Sequence, residues 1–393
     1  MTIADPTLNL VTHRTADLRV LIVMPLGEQR GGAEMALLHL LQAGRGLGVT
    51  WSVVFLEDGP MVAQVLASDV EARVVPAGRI RQPHLAVAAV LRIARIVARE
   101  RFDLVFGWMT KSHLYGGPAA LLARVPAMWF QLGLPDGRGW MDRVATAIPA
   151  RGILACSRAT AAAQMALKPA RCVRTVHLGV EILRFDPEAL PAVEDARRHL
   201  GLPVAVPIVG IVGRLQRWKG IHVLVDAMPA ILREFPDAHC VVVGGVHKLE
   251  PTYPAFLDQR INELGLKGFV TLAGMQANVP EWMQAMDVIV HASNHEPFGL
   301  VVIEAMAMGK PVVAGSGSGP AEIITPGTDG FLTPFGDSAA LADAVLQYLR
   351  DPTLSRSMGE AARRRAVEFS VERYAENLVA ALRDLLGHQS PQR

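Results

Sequence analysis

The chain has 393 residues, 51% hydrophobic and 19% charged, which excludes a disordered or coiled-coil protein and leaves room for two sizeable cores. Net charge is only +2, but 20 Lys and Arg stand against 13 Asp and Glu up to residue 182, and 19 against 24 beyond it. The first half is thus basic, which suits an anionic surface or substrate on that side, the plain alternative being a chance asymmetry of solvated faces.

Residues 1–17 lack the basic-then-apolar order of a signal peptide and read as a frayed cytoplasmic tail. The first strand is 18–25, apolar but for Arg19, as expected of a strand buried on both faces. Gly31-Gly32-Ala33-Glu34 follows, then a helix whose stripe is Met35, Leu37, Leu38, Leu40 and Leu41. Further strands are predicted at 51–56, 103–107, 125–130, 152–157 and 173–178, with helices near 84–100, 114–124, 139–148 and 158–167. Residues 182–206 carry Pro187, Pro191 and Pro203 without an apolar strand and read as a linker. A second series then begins, with strands at 207–213, 239–244, 269–273, 287–292, 311–314 and 331–333. Helices intervene near 220–234, 255–264, 279–285, 299–308 and 338–349, and two more close the chain at about 353–367 and 371–386. Alternating strands and helices mean parallel sheets, so the expected fold is α/β: two doubly wound domains in tandem, facing across a cleft.

Several chemistries are excluded. The chain has no GxGxxG after the first strand, no GxxxxGK[ST], no GxSxG and no HExxH. No Asp-x-Asp pair occurs, so a metal–diphosphate clamp of that kind is not encoded. Cys156, Cys172 and Cys240 form no Cys-x-x-Cys, which argues against a zinc site and for a reducing compartment. No apolar run approaches the roughly 18 residues of a membrane-spanning helix.

Four stretches carry chemistry. Gly31 and Gly32 would let a backbone approach a ligand at a helix start. Arg214, Arg217 and Lys219, just after the first strand of the second series, could hold phosphates or form a solvated loop. Glu296 lies in the loop before a helix, Glu304 lies inside that helix, and free N–H groups at Gly299, Leu300 and Val301 could receive an oxygen. A carboxylate at Glu304 needs a core ion pair or a polar ligand. Gly315, Gly317, Gly319 and Glu322 join a strand to a short helix, as a tight turn would.

In order and spacing these stretches resemble the retaining glycosyltransferases of family 4, which have the GT-B fold of two Rossmann-like domains. The resemblance runs from about Leu18 to the final helix. It rests on Gly-Gly-x-Glu at 31–34, Val-Gly-Arg…Lys-Gly at 212–220, and the Glu-x7-Glu of Glu296 and Glu304. The Leu-Gly-Val-Glu…Phe-x-Pro segment at 178–187 and Leu-Gly-Leu-Pro at 200–203 also belong to it.

The resemblance implies an N-terminal acceptor-binding domain (1–182), onto which a final helix at about 371–393 packs back, and a C-terminal donor-binding domain (183–370). It implies that Arg214 and Lys219 bind the donor diphosphate, Glu304 the ribose, and Glu296 the donor sugar. The backbone of Phe298, Gly299, Leu300 and Val301 would surround sugar and phosphate. Gly31 and Gly32 would approach from the opposite domain, and the loop with Met275 and Gln276 would contact the base, with a slight preference for uridine. The catalytic set is Arg214, Lys219 and Glu296, with no metal and no cofactor. The partners are a nucleotide diphosphate sugar and a hydroxyl acceptor that could be lipid-linked, as in cell-surface polysaccharide or glycolipid synthesis; nucleic acid is not among them. Arg92, Arg95 and Arg99 on one helix face, beside Leu85, Val90, Leu91, Ile93, Ile96 and Val97, suit either peripheral contact of the N-terminal domain with the inner face of a membrane or an ordinary sheet-packing helix with a solvated basic face.

The sequence departs from the family where Leu132 precedes Gly133 and where Trp108 follows the 103–107 strand, since many members have histidine at both places. Gln131 could substitute, or His113 could reach in, although His113 reads more readily as a buried structural histidine. The departure keeps a catalytically weak nucleotide-sugar-binding protein open, beside another GT-B enzyme such as an epimerase or phosphorylase.

Overall fold

The structure, a computed structural model, describes residues 17–29, 31–78 and 82–387. The tail before Asp17 and the end of the final helix span, 388–393, lie outside the described residues.

The first half runs β1 (Leu18–Met24), α1 (Gly32–Ala43), β2 (Val49–Phe55), α2 (Pro60–Ala67), β3 (Glu71–Val74), α3 (Pro83–Glu100), β4 (Leu104–Trp108), α4 (Thr110–Ala123), β5 (Ala127–Gln131), α5 (Trp140–Ala147), β6 (Gly152–Ala155), α6 (Arg158–Met165) and β7 (Val173–Thr175). Its strands pair in parallel in the order β3-β2-β1-β4-β5-β6-β7. Val20, Leu21, Ile22 and Val23 of β1 are all fully covered, as a central strand with helices on both faces requires.

The second half runs α7 (Val193–His199), β8 (Ile208–Val212), α8 (Ile221–Glu234), β9 (His239–Val243), α9 (Tyr253–Glu263), β10 (Val270–Gly274), α10 (Val279–Gln284), β11 (Val288–His291), α11 (Leu300–Ala307), β12 (Val312–Gly315), α12 (Pro320–Ile323), β13 (Phe331–Thr333), α13 (Ser338–Arg350), α14 (Pro352–Ala366) and α15 (Val371–Leu386). Its sheet is also parallel, in the order β10-β9-β8-β11-β12-β13. Local chemistry sets the helix starts: Ser157, Asp337, Asp351 and Ser370 each accept a backbone N–H of the following first turn.

Three short parts of the chain go beyond the sequence expectation: α2, β3 and the 182–206 segment. β3 is an edge strand whose Glu71 and Arg73 pair with each other, and whose Arg73 also meets Glu100. Its charges hide the apolar alternation that marks a strand. The 182–206 segment is not bare linker. It holds 3-10 turns at Ile182–Phe185 and Pro187–Ala189, then α7. Buried Arg197 on α7 donates to the carbonyls of Ala285, Val204 and Val206 and pairs with Asp287 at 2.7 Å.

The chain passes between the halves twice, and the two crossings are bonded to each other. Val180 N–H donates to Phe369 O at 2.9 Å, and Val371 N–H donates to Val180 O at 3.2 Å. Glycine is required beside this bridge, because a Cβ on Gly179 would stand 2.6 Å from Ser370 O. After the second crossing α15 returns to the first half. It packs on α1, Leu385 covers Gly152, and Arg383 donates to the carbonyls of Leu47 and Gly48.

The Arg197 anchor yields a stability prediction. Arg197→Ala leaves three carbonyls and the 41% exposed Asp287 side chain without the guanidinium and should cost about 1–3 kcal/mol, as for lost hydrogen bonds to a charged group. Denaturant unfolding of the two proteins measures it.

Candidate functional site

Both sheets reverse strand order, one between β1 and β4, the other between β8 and β11. Ligands of open parallel sheets bind outside the carboxyl ends of the strands at such points. The two switch points face each other across a cavity of about 500 Å3. β1 delivers Leu26, Gly31 and Gly32 to it, β8 delivers Gly213, Arg214, Trp218 and Lys219, and β11 delivers His291, Glu296 and Pro297. Phe298, Gly299, Leu300, Val301 and Glu304 line it along the N-terminal end of α11.

The charged centre is a buried triad. Lys219 Nζ donates to Glu296 Oε2 at 2.6 Å, and His291 Nε2 lies 3.3 Å from the same oxygen. Burial alone would raise the Glu296 pKa, but the Lys219 charge and His291 outweigh it and hold the carboxyl well below the usual range. Lys219 also sits 4.2 Å from the Trp218 ring centroid. The turn into α8 that presents Lys219 needs Gly220: its φ is +71°, and a Cβ there would stand 2.0 Å from Ala292 O.

Glu304 differs from Glu296. No hydrogen-bond or ion-pair partner meets its carboxyl among the described residues, so no core salt bridge accounts for it. Burial pushes its pKa up to about 7, against a weaker pull from Arg184. Arg214 likewise has no carboxylate partner among the described residues. It reaches across the cavity, where a Cβ on Gly31 would stand 3.8 Å from its guanidinium carbon. Gly32 is as close to the other half, since a Cβ there would come within 2.9 Å of Leu300 Cδ1. An open cation, an open carboxylate and two glycines thus converge on one cavity.

Met275 and Gln276 are not among the residues lining that cavity. Met275 is 82% exposed beside Gly245, and Gln276 donates to Ala273 O. Leu132 does line it, with Met109, Cys156 and Leu178, so this wall is apolar. Gln131 is turned to Thr110, whose hydroxyl donates to its Oε1 at 2.8 Å. His113 is fully buried, stacked on Trp129 at 5.6 Å, with its pKa lowered to about 4 by burial. Neither lines the cavity. Trp108 Nε1 donates to Ala33 O and so holds the start of α1 in place. The histidine at the cavity is instead His291, from the opposite half. Sequence reasoning missed it, because one histidine ending an apolar strand looks like a core residue. Its place directly before the Glu296 loop was the available signal.

Two parallel Rossmann-like domains meeting at the carboxyl ends of their strands define the GT-B architecture. Residues 192–365 match the model of Glycosyl transferases group 1, and residues 30–184 match that of Glycosyltransferase Family 4. The chain belongs to the family 4 glycosyltransferases of GT-B fold. It is 36% identical over 219 residues to a D-inositol 3-phosphate glycosyltransferase of Corynebacterium urealyticum, covering 54% of this chain and 51% of that protein. It is 31% identical to the lipopolysaccharide core biosynthesis mannosyltransferase LpsB of Rhizobium meliloti, covering 53% and 60%. The match thus spans about half the length of these relatives. The structure of Anabaena HepE in complex with UDP superposes with a TM-score of 0.82 at 26% identity, covering 93% of this chain and 100% of that one.

The raised pKa of Glu304 makes stability depend on pH. The folded state holds the Glu304 proton up to about pH 7, whereas the unfolded state releases it in the ordinary carboxylate range. Stability from this group is therefore full at low pH and is lost as pH rises through about 7. Glu304→Gln should raise the melting temperature relative to the parent at about pH 8 and change it less at about pH 5.

Proposed function

We propose that the chain is a retaining, metal-independent glycosyltransferase that moves a sugar from a nucleotide diphosphate sugar to a hydroxyl acceptor. The observation that carries this reading is Glu304, a carboxylate opening on the cavity without a protein partner. A ribose diol supplies the two donors that such a group lacks. Arg214, Lys219 and the unpaired first N–H groups of α11 lie within the same cavity and suit a diphosphate.

In the reaction proposed here the bond from the sugar C1 to the diphosphate oxygen breaks, and its electron pair stays on phosphate. The acceptor oxygen bonds to C1 on the same face, and its proton passes to the departing phosphate. Negative charge grows where Arg214, Lys219 and the start of α11 are already fixed, so little reorganisation is needed. Glu296, held ionised by Lys219 and His291, offers negative charge to the oxocarbenium-like sugar. The apolar wall of Met109, Leu132 and Leu178 offers no side-chain hydrogen bond, so recognition of sugar hydroxyls falls to His291 and Glu296.

Anabaena HepE, whose structures hold UDP and UDP-glucose, supports a uridine nucleotide as donor. We assign acceptor binding to the first half, in surface glycan or glycolipid synthesis at the cytoplasmic side of a membrane. Among the described residues no helix is long and apolar enough to cross a membrane. Peripheral contact fits the α3–α5 face, where α3 packs on α4 and α4 on α5. Arg92, Arg95 and Arg99 are exposed beside Val87 and Leu91, and Trp140, Met141 and Val144 are exposed on α5. Ile93 and Val97 of the expected apolar stripe are instead buried against the sheet. Basic and apolar side chains together suit an anionic bilayer.

Arg214→Ala should lower nucleotide release from UDP-sugars about 100-fold, as for loss of a preorganised charge-stabilising group. Turnover by the parent should persist with a chelator present. Nucleotide binding without turnover for any donor and acceptor would make the chain a binding protein instead. On the membrane side, anionic vesicles should sediment the parent at low salt and not at high salt. Replacing Arg92, Arg95 and Arg99 by Gln should abolish that binding, and equal recovery with neutral vesicles would place the acceptor in solution.

A further inference from the structure

The stretch 315–322 does more in the folded chain than turn it. α12 raises Glu322 out of the second domain toward α6 of the first. The Glu322 carboxylate accepts Arg158 N–H on one oxygen and Ala159 N–H on the other, both at 2.8 Å. His177 Nε2 lies 3.1 Å away and Arg158 Nε 3.4 Å away. The carboxylate is only 7% exposed. It therefore caps the first turn of α6, where Ser157 supplies one further acceptor, to Thr160 N–H.

The turn behind Glu322 rests directly on the Glu296 loop. Gly319 N–H donates to Glu296 O at 2.9 Å, and a Cβ on Gly319 would stand 2.2 Å from Phe298 O. That loop also reaches the first domain itself. Thr160 Oγ1 donates to Pro297 O at 3.4 Å, and the Phe298 ring stacks on His177 at 5.4 Å and 20°. Glu322, α6 and the loop bearing Glu296 thus form one continuous body across the cleft.

We propose that Glu322 is a positioning residue that clasps the two domains in the arrangement seen here by capping α6 from the opposite domain. It does not line the cavity, so it acts on how the two domains are held together rather than on substrate. Burial works against its charge, but His177 and the two N–H groups lower its pKa overall, so the carboxylate faces the positive end of α6 ionised. The clasp itself belongs to the fold, whereas its effect on turnover rests on the transfer reading above.

The test uses the full chain with Glu322→Ala and Glu322→Gln. In the Ala variant, amide exchange at Arg158 and Ala159 should quicken and the radius of gyration from small-angle scattering should rise. UDP affinity should stay within about twofold while kcat falls about 100-fold, the scale of a misplaced reacting group. Formate, which fits the vacated carboxylate position, should restore all three in part. The Gln variant, keeping one strong acceptor, should fall between, and it carries the test if the Ala variant does not fold. Unchanged exchange and scattering would overturn the clasp. A loss of UDP affinity as large as the loss of turnover would do so too, by showing that Glu322 only props the loop. If the parent transfers no sugar, the proposed function fails, while the exchange and scattering measurements still decide for or against the clasp.

Discussion

The molecule is governed by the hydrogen-bonded pairing of its two interdomain crossings. Because Val180 and the segment around Ser370 bond to each other, both passages of chain lie at one place, and the two domains share a single joint. Everything functional is arranged about that joint. The carboxyl ends of both sheets face one another beside it, and the loops after β1, β8 and β11 meet in one cavity. His177 stands three residues from Val180, its ring tilted against Phe369 of the other crossing and stacked on Phe298 of the cavity loop. Hinge and site are therefore packed on each other rather than joined at a distance.

Electrostatics then divides the cavity. The second domain supplies the charged wall, with Arg214, Lys219, His291, Glu296 and Glu304. The first supplies glycines, an apolar wall around Leu132 and one carboxylate, Glu34. Lys219 and Glu296 neutralise one another at 2.6 Å, which makes two buried charges tolerable before any ligand arrives. Arg214 and Glu304 have no such arrangement with each other or with a neighbour. One satisfied pair thus stands beside two open groups, and all four line the cavity that a ligand would enter.

Most of the architecture was legible in the residues. Strands buried on both faces write themselves as apolar runs, and their alternation with helices implied parallel sheets. β3 was not legible, because an edge strand of Glu71, Ala72, Arg73 and Val74 turns only two small or partly buried side chains to the core, between charges. α7 was hidden by the prolines around it, and its role depends on Arg197 reaching Ala285 O and Asp287, 88 and 90 residues along the chain. At the site, the residues before and within α11 carried a local signal, since loop and helix are contiguous. Glu322 carried none, because its partners at Arg158 and Ala159 stand 164 and 163 residues away and meet it only once both domains have formed. His291 carried only the signal of its place before the Glu296 loop, and the apolar wall carried none, because its meaning lies in what faces it.

The return of α15 has a consequence for biogenesis. The surface of the first domain over α1 and β6 is completed by a helix that follows the entire second sheet in the chain, with Leu385 against Gly152 and Arg383 holding the 47–48 carbonyls. Domains ordinarily fold in the order in which they leave the ribosome. Here the domain that emerges first must wait, with an apolar face uncovered, until the last helix is made. The nascent N-terminal half is thus exposed to aggregation for the time taken to synthesise its partner, and a chaperone would have its longest opportunity on the domain translated earliest.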